Sequence, residues 1–421
     1  MTPTVTNPAV INSTASTNHT GEKWIVVGGG LTGSALAYEL AVQGRQVVLV
    51  EPQDPLQGAT RYSYGGIPHW SATNPTTQYW CDRSLARYDQ LEAELEVDFQ
   101  RRSVTLLLTI AATADPDAAL AQHQQFATAP QLLTPAEAAA LEPALNPTVL
   151  SGALALPHGH LCPLSLVQAY RQGLVRHGGS VVQARYTGLR RRGPDPADPA
   201  ATVTGIETSA GPIEADRVVI SAGGVSRSLL RQAGLAVPLY YTQAEVVEVQ
   251  HQPGALRGVV MPADNRRFAL EAEASQADRD AQWDQPGQEL IPASLDPGAV
   301  QFQNGRLVLG QTSRTWSDLQ PPIEASQSER EIRAEIAKLF PEFADLAGTW
   351  HQCLVAFSRD GFPLVGEVVS GSGLYIFTGF SSPFIYVPGL AEAFATAVKT
   401  GVWRDGPLQV CSPDRFFAAP V

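Results

Sequence analysis

The chain has 421 residues, which is long for one hydrophobic core, so we expect two domains. Hydrophobic residues make up 44% and charged residues 17%, an ordinary composition for a globular protein. With 29 basic against 41 acidic residues the net charge is −12, which argues against nucleic acid or an anionic membrane surface as a partner.

The start of the chain and its cysteines give further expectations. Residues 1–20 lack the basic start and apolar core of a signal peptide, so we expect a disordered tail on a cytoplasmic protein. No apolar run approaches the roughly 18 residues of a membrane helix, which predicts no membrane span. Cys81, Cys162, Cys353 and Cys411 form no CxxC pair and lack metal-ligand spacing, so we expect reduced thiols and no metal site.

The segment KWIVVGGGLTGSALAYELAVQGRQVVLVEPQ, residues 23–53, predicts a strand–helix–strand unit. Largely apolar runs at 24–27 and 46–50 predict two buried strands, and the helical spacing between them stops at Gly44. The turn between the first strand and the helix carries the pattern GxGxxG. Its expected dinucleotide contacts are Gly28, Gly30, Leu31, Thr32 and Gly33.

Each glycine of this pattern has a physical role. The first permits a tight turn, the second admits a pyrophosphate, and the third lets the helix pack close to the strand with its N-terminus facing the phosphates. Glu51 ends the second strand, at the place where an acid accepts ribose hydroxyls. Strand, glycines, helix, cap, strand and acid occur in order, so the sequence predicts a dinucleotide site.

Later segments favour FAD over a nicotinamide. The loop at residues 58–70, GATRYSYGGIPHW, is rich in glycine and aromatics and contains one basic residue, Arg61. A nicotinamide enzyme would usually begin its next helix soon after Glu51. Further on, the chain predicts a helix from about Pro163, a strand from Ser180, and a strand that ends at Gly223-Gly224.

Five segments in order resemble the D-amino-acid oxidase (DAO) family of FAD-dependent amine and amino-acid oxidoreductases, which includes glycine oxidase and monomeric sarcosine oxidase. They are GGGLTGSALAYELAVQGRQVVLVE, GATRYSYGG, ADRVVISAGG, SRDGFPLVG and GLYIFTGFS. The resemblance covers nearly the whole chain. It implies an α/β (α+β) fold, with a Rossmann-like FAD-binding domain of the glutathione-reductase type and a mixed-sheet substrate domain.

In that family the first motif binds the ADP half of FAD, and the two late motifs lie against the isoalloxazine ring. The expected FAD contacts are Gly28, Gly30, Leu31, Thr32, Gly33, Glu51, Arg61, Gly65, Gly66, Val182, Gly223, Cys353, Asp360, Gly379, Phe380 and Ser381. The expected FAD-binding domain comprises residues 21–95, 150–235 and 346–421, and the expected substrate-binding domain comprises residues 96–149 and 236–345. Within the latter, the polar, proline-rich residues 278–298 predict a surface loop.

The resemblance implies oxidation of a C–N bond in a small-molecule amine or amino acid, by hydride transfer to flavin N5 and hydrolysis of the imine. The electrons then pass to dioxygen or another acceptor. Glycine-oxidase-like members hold the substrate carboxylate with an arginine where this chain has Val355, and sarcosine-oxidase-like members use a lysine where it has Tyr386. The lysine that activates dioxygen in those members also has no clear counterpart.

Two interpretations follow from these departures. Either another arginine holds a substrate carboxylate, or the substrate has none; the candidate arginines are Arg266, Arg267, Arg314 and Arg359. We expect Arg314 and Arg359 in the active site, against the alternative that each is a surface arginine.

Two further side chains are candidate active-site residues. His69 is a candidate acceptor of the amine proton, against the alternative of a satisfied loop histidine. Tyr241 is a candidate pocket residue, against core packing. Two other functions stay open: a dehydrogenase that passes electrons to a quinone or a partner protein, and a catalytically decayed flavin-binding protein.

Cys353 lies seven residues before Asp360 (360 − 353). In sarcosine-oxidase-like members a cysteine at that spacing is bonded to the 8-methyl group of the flavin, so the resemblance suggests covalent FAD through Cys353. Attachment requires a thiolate, and therefore a cation such as His351 or an arginine nearby. The alternative is an inert core thiol, because cysteine is among the most buried residue types.

Overall fold

The computed structural model describes residues 10–11, 21–195, 197–264, 266–403 and 406–416. The expected disordered tail, residues 1–20, lies outside the described residues except for strand β1 (Val10–Ile11). That strand pairs antiparallel with Val181 and Val182, so this part of the tail is ordered against the sheet that follows.

Strands and helices occur along the whole length of the described chain. The further strands are β2 (Lys23–Val27), β3 (Gln46–Glu51), β4 (Gly66–Ile67), β5 (Arg102–Ala111), β6 (Gln131–Leu133), β7 (Leu150–His160), β8 (Ser180–Gln183), β9 (Tyr186–Arg192), β10 (Thr202–Thr208), β11 (Ile213–Glu214), β12 (Arg217–Ile220), β13 (Leu239–Gln250), β14 (Val259–Pro262), β15 (Glu289–Gln301), β16 (Arg306–Trp316), β17 (Gly348–Ser358), β18 (Leu364–Glu367) and β19 (Leu374–Thr378). The helices are α1 (Leu31–Val42), α2 (Ala59–Tyr62), α3 (Pro75–Glu94), α4 (Pro116–His123), α5 (Pro135–Leu141), α6 (Pro163–Arg176), α7 (Ser226–Gln232), α8 (Arg266–Ala274), α9 (Asp280–Trp283), α10 (Ala325–Leu339) and α11 (Pro383–Thr400).

The predicted strand–helix–strand unit is confirmed as β2–α1–β3. It lies in a largely parallel sheet of order β1-β8-β3-β2-β12-β19-β18. Trp24 and Val26 of β2 pack into a buried cluster with helices α1, α3, α6 and α11, whereas Ile25 and Val27 pack with β10 and β12 on the opposite face. Both faces of these strands are therefore covered, which explains their nearly continuous apolar sequences.

A small antiparallel sheet of order β11-β10-β9 covers that opposite face. Helices on one face of a parallel sheet and a small sheet on the other form the expected Rossmann-like layer of the glutathione-reductase type. Helix α11 begins at Pro383, whose missing N–H costs nothing at a first helical position, while Pro388 lies inside the helix.

The larger mixed sheet has the order β17-β13-β16-β15-β14-β5-β7-β4, with β6 paired to β7. Its neighbouring strands run antiparallel except for the parallel pair β14–β5. Strands β7 and β17 come from segments assigned on sequence to the FAD-binding domain, but they pair along their length with β5 and β13. The mixed sheet thus extends past the boundaries expected at residues 150 and 346.

The prediction of a surface loop at residues 278–298 is wrong. This segment contains α9 and most of β15, which pairs antiparallel with β16. The register shifts between Ile291 and Ser294 and again between Leu295 and Gly298, and each shift contains a proline. Because a proline in a bulge gives up no ladder hydrogen bond, a proline-rich segment at this place is still a strand.

Within residues 21–195, 197–264, 266–403 and 406–416, no helix combines the length and the apolar character needed to cross a membrane. The same described residues contain no group of three or more His, Cys, Asp and Glu side chains arranged to hold a metal ion.

Candidate functional site

A cavity of about 770 Å³ lies between the parallel sheet and the mixed sheet. Its wall includes Leu31 and Thr32 from the start of α1, and Leu106, Ala244 and Val246 from the mixed sheet. More of the wall is apolar than polar, as is usual for small-molecule and cofactor sites. The glycine-rich turn and the mixed sheet therefore enclose one continuous space.

The glycines of the β2–α1 turn fit a pyrophosphate cradle. A Cβ on Gly33 would lie 1.8 Å from the carbonyl oxygen of Gly28, and a Cβ on Gly28 would lie 2.5 Å from that of Ser221. Around Gly30, by contrast, the atom that a Cβ would meet is the Thr60 hydroxyl, at 3.1 Å. Two of these glycines are thus required by the protein's own packing, and Gly30 leaves room beside the turn for a bound group.

The N-terminus of α1 opens onto this cradle. Gly30 is its N-cap and supplies no side-chain hydrogen bond, while the Leu31 N–H donates to the Thr60 hydroxyl at 3.0 Å. A helix N-terminus with exposed N–H groups attracts phosphate. The sequence prediction of a dinucleotide turn agrees with this geometry.

Glu51 lies beside the glycine-rich turn. Its carboxylate accepts the Gly29 N–H at 2.7 Å and the Gln53 N–H at 3.0 Å. Arg171 of α6, which sequence reasoning missed, donates to the Gly29 carbonyl at 2.7 Å. A carboxylate and a guanidinium thus hold the glycine turn from two sides.

Of the other residues predicted to contact FAD, some line the cavity and some do not. Gly66 and Gly223 line the cavity. Gly65 has φ +68°, and a Cβ there would lie 2.2 Å from the Leu161 carbonyl oxygen, so it shapes the loop rather than the wall. Arg61 does not line the cavity, and its guanidinium lies 2.9 Å from Glu248. Val182 pairs with the strand that ends in Glu51.

The late motifs meet at the cavity. Cys353, Asp360, Gly379, Phe380 and Ser381 all line its wall. Gly379 has φ +81°, a conformation that favours glycine, and therefore fixes the turn between β19 and α11. The structure brings these sequence-distant segments together around one cavity.

Cys353 is a buried thiol. Its Sγ donates to the Ala244 carbonyl oxygen at 3.7 Å, and burial raises its pKa to about 12, although Arg267 acts in the opposite direction. His351 stacks on Tyr62 with ring centroids 4.5 Å apart, and burial lowers its pKa, so it remains neutral near pH 7. The expected activating cation is therefore not His351.

Three of the four predicted catalytic residues do not line the cavity. His69 Nδ1 lies 3.3 Å from the Ile67 carbonyl oxygen in its own loop. Arg314 Nε donates to the buried carboxylate of Glu245 at 2.6 Å. Tyr241 is a buried core residue that donates its hydroxyl to the Ser317 carbonyl. Each of the three groups has a partner inside the protein, which explains its position.

Arg359 does line the cavity, but its guanidinium is engaged. It pairs with Asp280, and it donates to the Tyr240 hydroxyl at 2.7 Å and to the Ser275 carbonyl at 3.1 Å. Asp280 balances its charge, and the three partners together fix its direction.

Arg267, Glu271 and Asp296 also line the cavity; Arg267 was one of the candidate arginines, whereas sequence reasoning missed the two acids. Arg267 Nε is 3.6 Å from Glu271 Oε1, one helical turn along α8, and its backbone N–H donates to Asp296 Oδ2 at 3.3 Å. Burial raises the pKa of Glu271, and it raises the pKa of Asp296 to about 6. The i, i+4 spacing of Arg267 and Glu271 was the available sequence signal.

His158 adds a polar but uncharged group to the wall. It accepts a hydrogen bond from Trp70 Nε1 at 3.1 Å, and burial lowers its pKa to about 3. The imidazole is therefore neutral at physiological pH, and it contributes no positive charge to the cavity.

The comparisons with known proteins agree with the fold and the turn. The model of the family described as FAD dependent oxidoreductase (DAO) matches residues 23–397, so the chain belongs to that family. It is 24% identical over 379 residues to the uncharacterized oxidoreductase YurR of Bacillus subtilis (strain 168), covering 86% of this chain and 90% of YurR. The expected FAD cofactor is therefore confirmed; a covalent link is not shown.

Two further matches extend the comparison. The chain is 25% identical over 387 residues to 4-methylaminobutanoate oxidase (formaldehyde-forming) of Paenarthrobacter nicotinovorans, which covers 90% of this chain but 43% of that longer protein. The crystal structure of glycine oxidase from Bacillus cereus ATCC 14579 superposes with a TM-score of 0.70 at 21% identity, covering 90% of this chain and 95% of that one. The structural match shows the shared fold.

Proposed function

Because the chain is a DAO-family FAD-dependent oxidoreductase, we propose that it oxidises the C–N bond of a small amine or amino acid. The observation that carries this proposal is the placement of Arg267, Glu271 and Asp296 in a mainly apolar cavity that continues to the glycine-rich turn. Groups of both signs in such a space suit an ammonium and a carboxylate on one small molecule. The names of the glycine oxidase and 4-methylaminobutanoate oxidase relatives support the same substrate class.

The residues of the turn fit the ADP half of FAD. The N-terminus of α1 would hold the pyrophosphate and Glu51 a ribose hydroxyl, while Gly223, Gly379 and Phe380 belong to the cavity wall that would take the ring. When bound, FAD supplies the acceptor for the hydride from the substrate C–H bond. The apolar wall excludes water from that exchange.

Arg267 is the proposed contact for a substrate carboxylate. Of the candidate arginines, Arg266 is 62% exposed beside Asp264, and Arg314 lies outside the cavity. Arg359 lines it but is hydrogen-bonded to three partners. Arg267 has an acidic partner at 3.6 Å, beyond hydrogen-bond length, so its guanidinium keeps donors for a ligand.

Anaerobic reduction of the bound flavin tests the proposal. Amines and amino acids, with and without a carboxylate, are mixed with the FAD-loaded protein, and bleaching of the yellow colour is followed. We expect at least one compound to bleach it within seconds to minutes. A protein that retains FAD but is bleached by none of them is instead the decayed flavin-binding protein.

Matched variants then test Arg267. Arg267→Met is expected to raise the concentration needed for half-maximal reduction by about tenfold or more for substrates with a carboxylate, and to change it little for those without. Arg266→Met, its exposed neighbour, is the control and is expected to behave like the parent. Equal behaviour of all three proteins would remove Arg267 from the proposal.

A dehydrogenase is the second candidate function. It is favoured by the positions of Lys23, Lys338 and Lys399, the chain's lysines, none of which lines the cavity. The dioxygen-activating lysine of sarcosine-oxidase-like relatives therefore has no counterpart in the cavity wall. Once substrate has bleached the flavin, the rate of colour return in air is compared with that on adding a quinone. Faster return with the quinone identifies a dehydrogenase, and comparable return in air identifies an oxidase.

A further inference from the structure

Asp296 occupies an irregular point of β15 at the cavity wall. Leu295 pairs with Thr312 and Gly298 with Gly310, so β15 has one more residue between these pairs than β16 has. The bulge in β15 therefore consists of Asp296 and the proline that follows it. A bulge of this kind turns a side chain out of the regular alternation of a strand, and bulges are common beside active sites.

The two carboxylate oxygens of Asp296 have different surroundings. Oδ2 accepts the backbone N–H of Arg267 at 3.3 Å. Oδ1 is buried and has no hydrogen-bond partner among the described residues. A buried acceptor without a donor destabilises the folded chain, and such groups occur where a ligand provides the missing hydrogen bond.

The neighbouring cation does not satisfy this oxygen. The guanidinium of Arg267 lies toward Glu271, with Nε 3.6 Å from Oε1, and Glu271 in turn accepts the Thr242 hydroxyl at 2.9 Å. Arg267 and Glu271 thus balance one another in charge. Among the described residues, no guanidinium is hydrogen-bonded to the carboxylate of Asp296 at the wall of the cavity.

We propose that Asp296 is the amine-binding residue of this site: its Oδ1 holds the substrate ammonium and then accepts one proton from it. The inference rests on the proposed function and specifies how the amine is recognised and prepared. In the proton transfer one N–H bond of the ammonium breaks and one O–H bond forms on Asp296. The products are a neutral amine with a free nitrogen lone pair and a neutral carboxylic acid, so atoms and charge balance without any electron transfer.

The groups around Asp296 determine its pH range. Burial and the negative charge of Asp264 disfavour the ionised carboxylate, whereas Arg267 and Arg266 on α8 favour it. Tyr64, in the loop after α2, interacts electrostatically with Asp296, while its hydroxyl donates to the Gly310 carbonyl oxygen at 3.0 Å. The net effect holds the pKa of Asp296 at about 6, so the group is mainly ionised at neutral pH. Binding of an ammonium is therefore expected to weaken as the pH falls through about 6.

The test uses two ligands that cannot be oxidised, tert-butylamine and 2-aminoisobutyrate, because neither has hydrogen on the carbon bonded to nitrogen. Their binding to the FAD-loaded protein is measured by calorimetry and by the change in flavin absorption, from pH 5 to pH 8 (roughly one unit below to two above the pKa of a carboxyl raised by burial). The variants are Asp296→Asn, which keeps the size and removes the charge, and the matched control Asp264→Asn, whose side chain is 66% exposed beside Arg266.

We expect Asp296→Asn to bind both ligands roughly tenfold or more weakly at pH 8, and to lose the weakening near pH 6. Asp264→Asn is expected to bind like the parent at pH 8; because the charge of Asp264 disfavours the ionised form of Asp296, its removal should only move the weakening of binding to a somewhat lower pH. The inference is overturned if Asp296→Asn binds as the parent does with the same pH profile, or if the parent binds neither ligand.

The two proposals fail in different ways. If the amine panel bleaches the flavin but Asp296→Asn binds normally, the function stands and this role of Asp296 falls. If the parent binds tert-butylamine through Asp296 but no amine bleaches the flavin, the binding site stands and the proposed reaction falls.

Discussion

Arg415 donates two hydrogen bonds to the carboxylate of Asp360 at the cavity wall: Nε to Oδ2 at 2.7 Å and Nη2 to Oδ1 at 2.9 Å. Nη2 also donates to the Phe362 carbonyl oxygen at 2.8 Å. Burial raises the pKa of Asp360, but the hydrogen bonds and charge of Arg415, together with hydrogen bonds from the Phe362 N–H and the Ser358 hydroxyl, lower it, and the net pKa is lowered. Arg415, near the end of the described chain, therefore fixes the shape of the motif SRDGFPLVG, and Asp360 remains ionised.

Replacing Arg415 with methionine is expected to loosen this turn and weaken FAD binding by roughly 1 kcal/mol, or about fivefold, because Asp360 is partly exposed and water will replace some of the lost bonding. FAD dissociation constants from fluorescence titration give the measurement. Arg176→Met is the control, since that arginine forms an exposed pair with Glu96 at 3.5 Å. An unchanged dissociation constant in Arg415→Met would show that this contact does not support the cofactor site.

Gly30 and Gly33 are expected to respond differently to the same change. A Cβ at Gly30 would meet a movable hydroxyl at 3.1 Å, so Gly30→Val should fold but lose FAD, because its side chain occupies the pyrophosphate space. A Cβ at Gly33 would meet a backbone oxygen at 1.8 Å, so Gly33→Val should fail to fold. Circular dichroism and the yellow colour distinguish the outcomes. A yellow Gly30→Val protein at full occupancy would contradict the cofactor placement.

Glu51→Gln is expected to weaken FAD binding modestly without unfolding the chain. The amide can still accept one hydrogen bond from the Gly29 or Gln53 N–H groups that Glu51 now binds, but its bond to a ribose hydroxyl loses the assistance of the charge. We expect a dissociation constant about three- to tenfold higher, corresponding to roughly 1 kcal/mol. The same constant in variant and parent would exclude this role.

The strand–helix–strand unit could be predicted because the residues that determine it are close together in the sequence. Apolar strands, a helical repeat and GxGxxG defined β2–α1–β3 within a few tens of residues. The mixed sheet's irregular strand was not predictable: the prolines at 292 and 297 indicate a loop, and their compatibility with β15 depends on register shifts against β16. Asp296 was missed for that reason.

For the charged groups too, the sequence shows the residue type but not the residues that pair with it in space. Arg314 and Arg359 have the residue type expected of a substrate anchor, but Glu245 and Asp280, 69 and 79 residues away in the chain, bind them. A sequence pattern does not reveal such partners. Arg267 was among the candidates, and its position in the cavity depends on how α8 packs against the mixed sheet, which is also non-local.

The raised pKa of Asp296 predicts a pH-dependent stability. Its folded-state pKa, about 6, lies above that of an unfolded aspartate, so between these values the folded chain binds more protons and the free energy of unfolding falls as the pH rises. Asp296→Asn should therefore be more stable than the parent above pH 7, by roughly 1–2 kcal/mol, and equal to it near pH 4. Urea unfolding at both pH values measures the difference. A destabilised variant at pH 8 would mean that the carboxylate has a structural partner.

Cys353 is expected to be free of FAD. A covalent bond to the flavin would require the thiolate, but burial raises the pKa of this thiol to about 12, and its hydrogen is donated to the Ala244 carbonyl oxygen at 3.7 Å. Acid precipitation should leave the yellow colour in the supernatant, and Cys353→Ser should retain FAD like the parent.

The control for this prediction is Cys81→Ser, since Cys81 is also buried but lies outside the cavity. Because Cys353 lines the cavity, its alkylation should be slower with FAD bound than without, whereas Cys81 should show no such difference. A yellow pellet from the parent, an intact mass greater by one FAD, and loss of both in Cys353→Ser would establish the covalent link. In that case the bound flavin, together with Arg267, must lower the pKa of the thiol, because the protein's own burial of Cys353 opposes its ionisation.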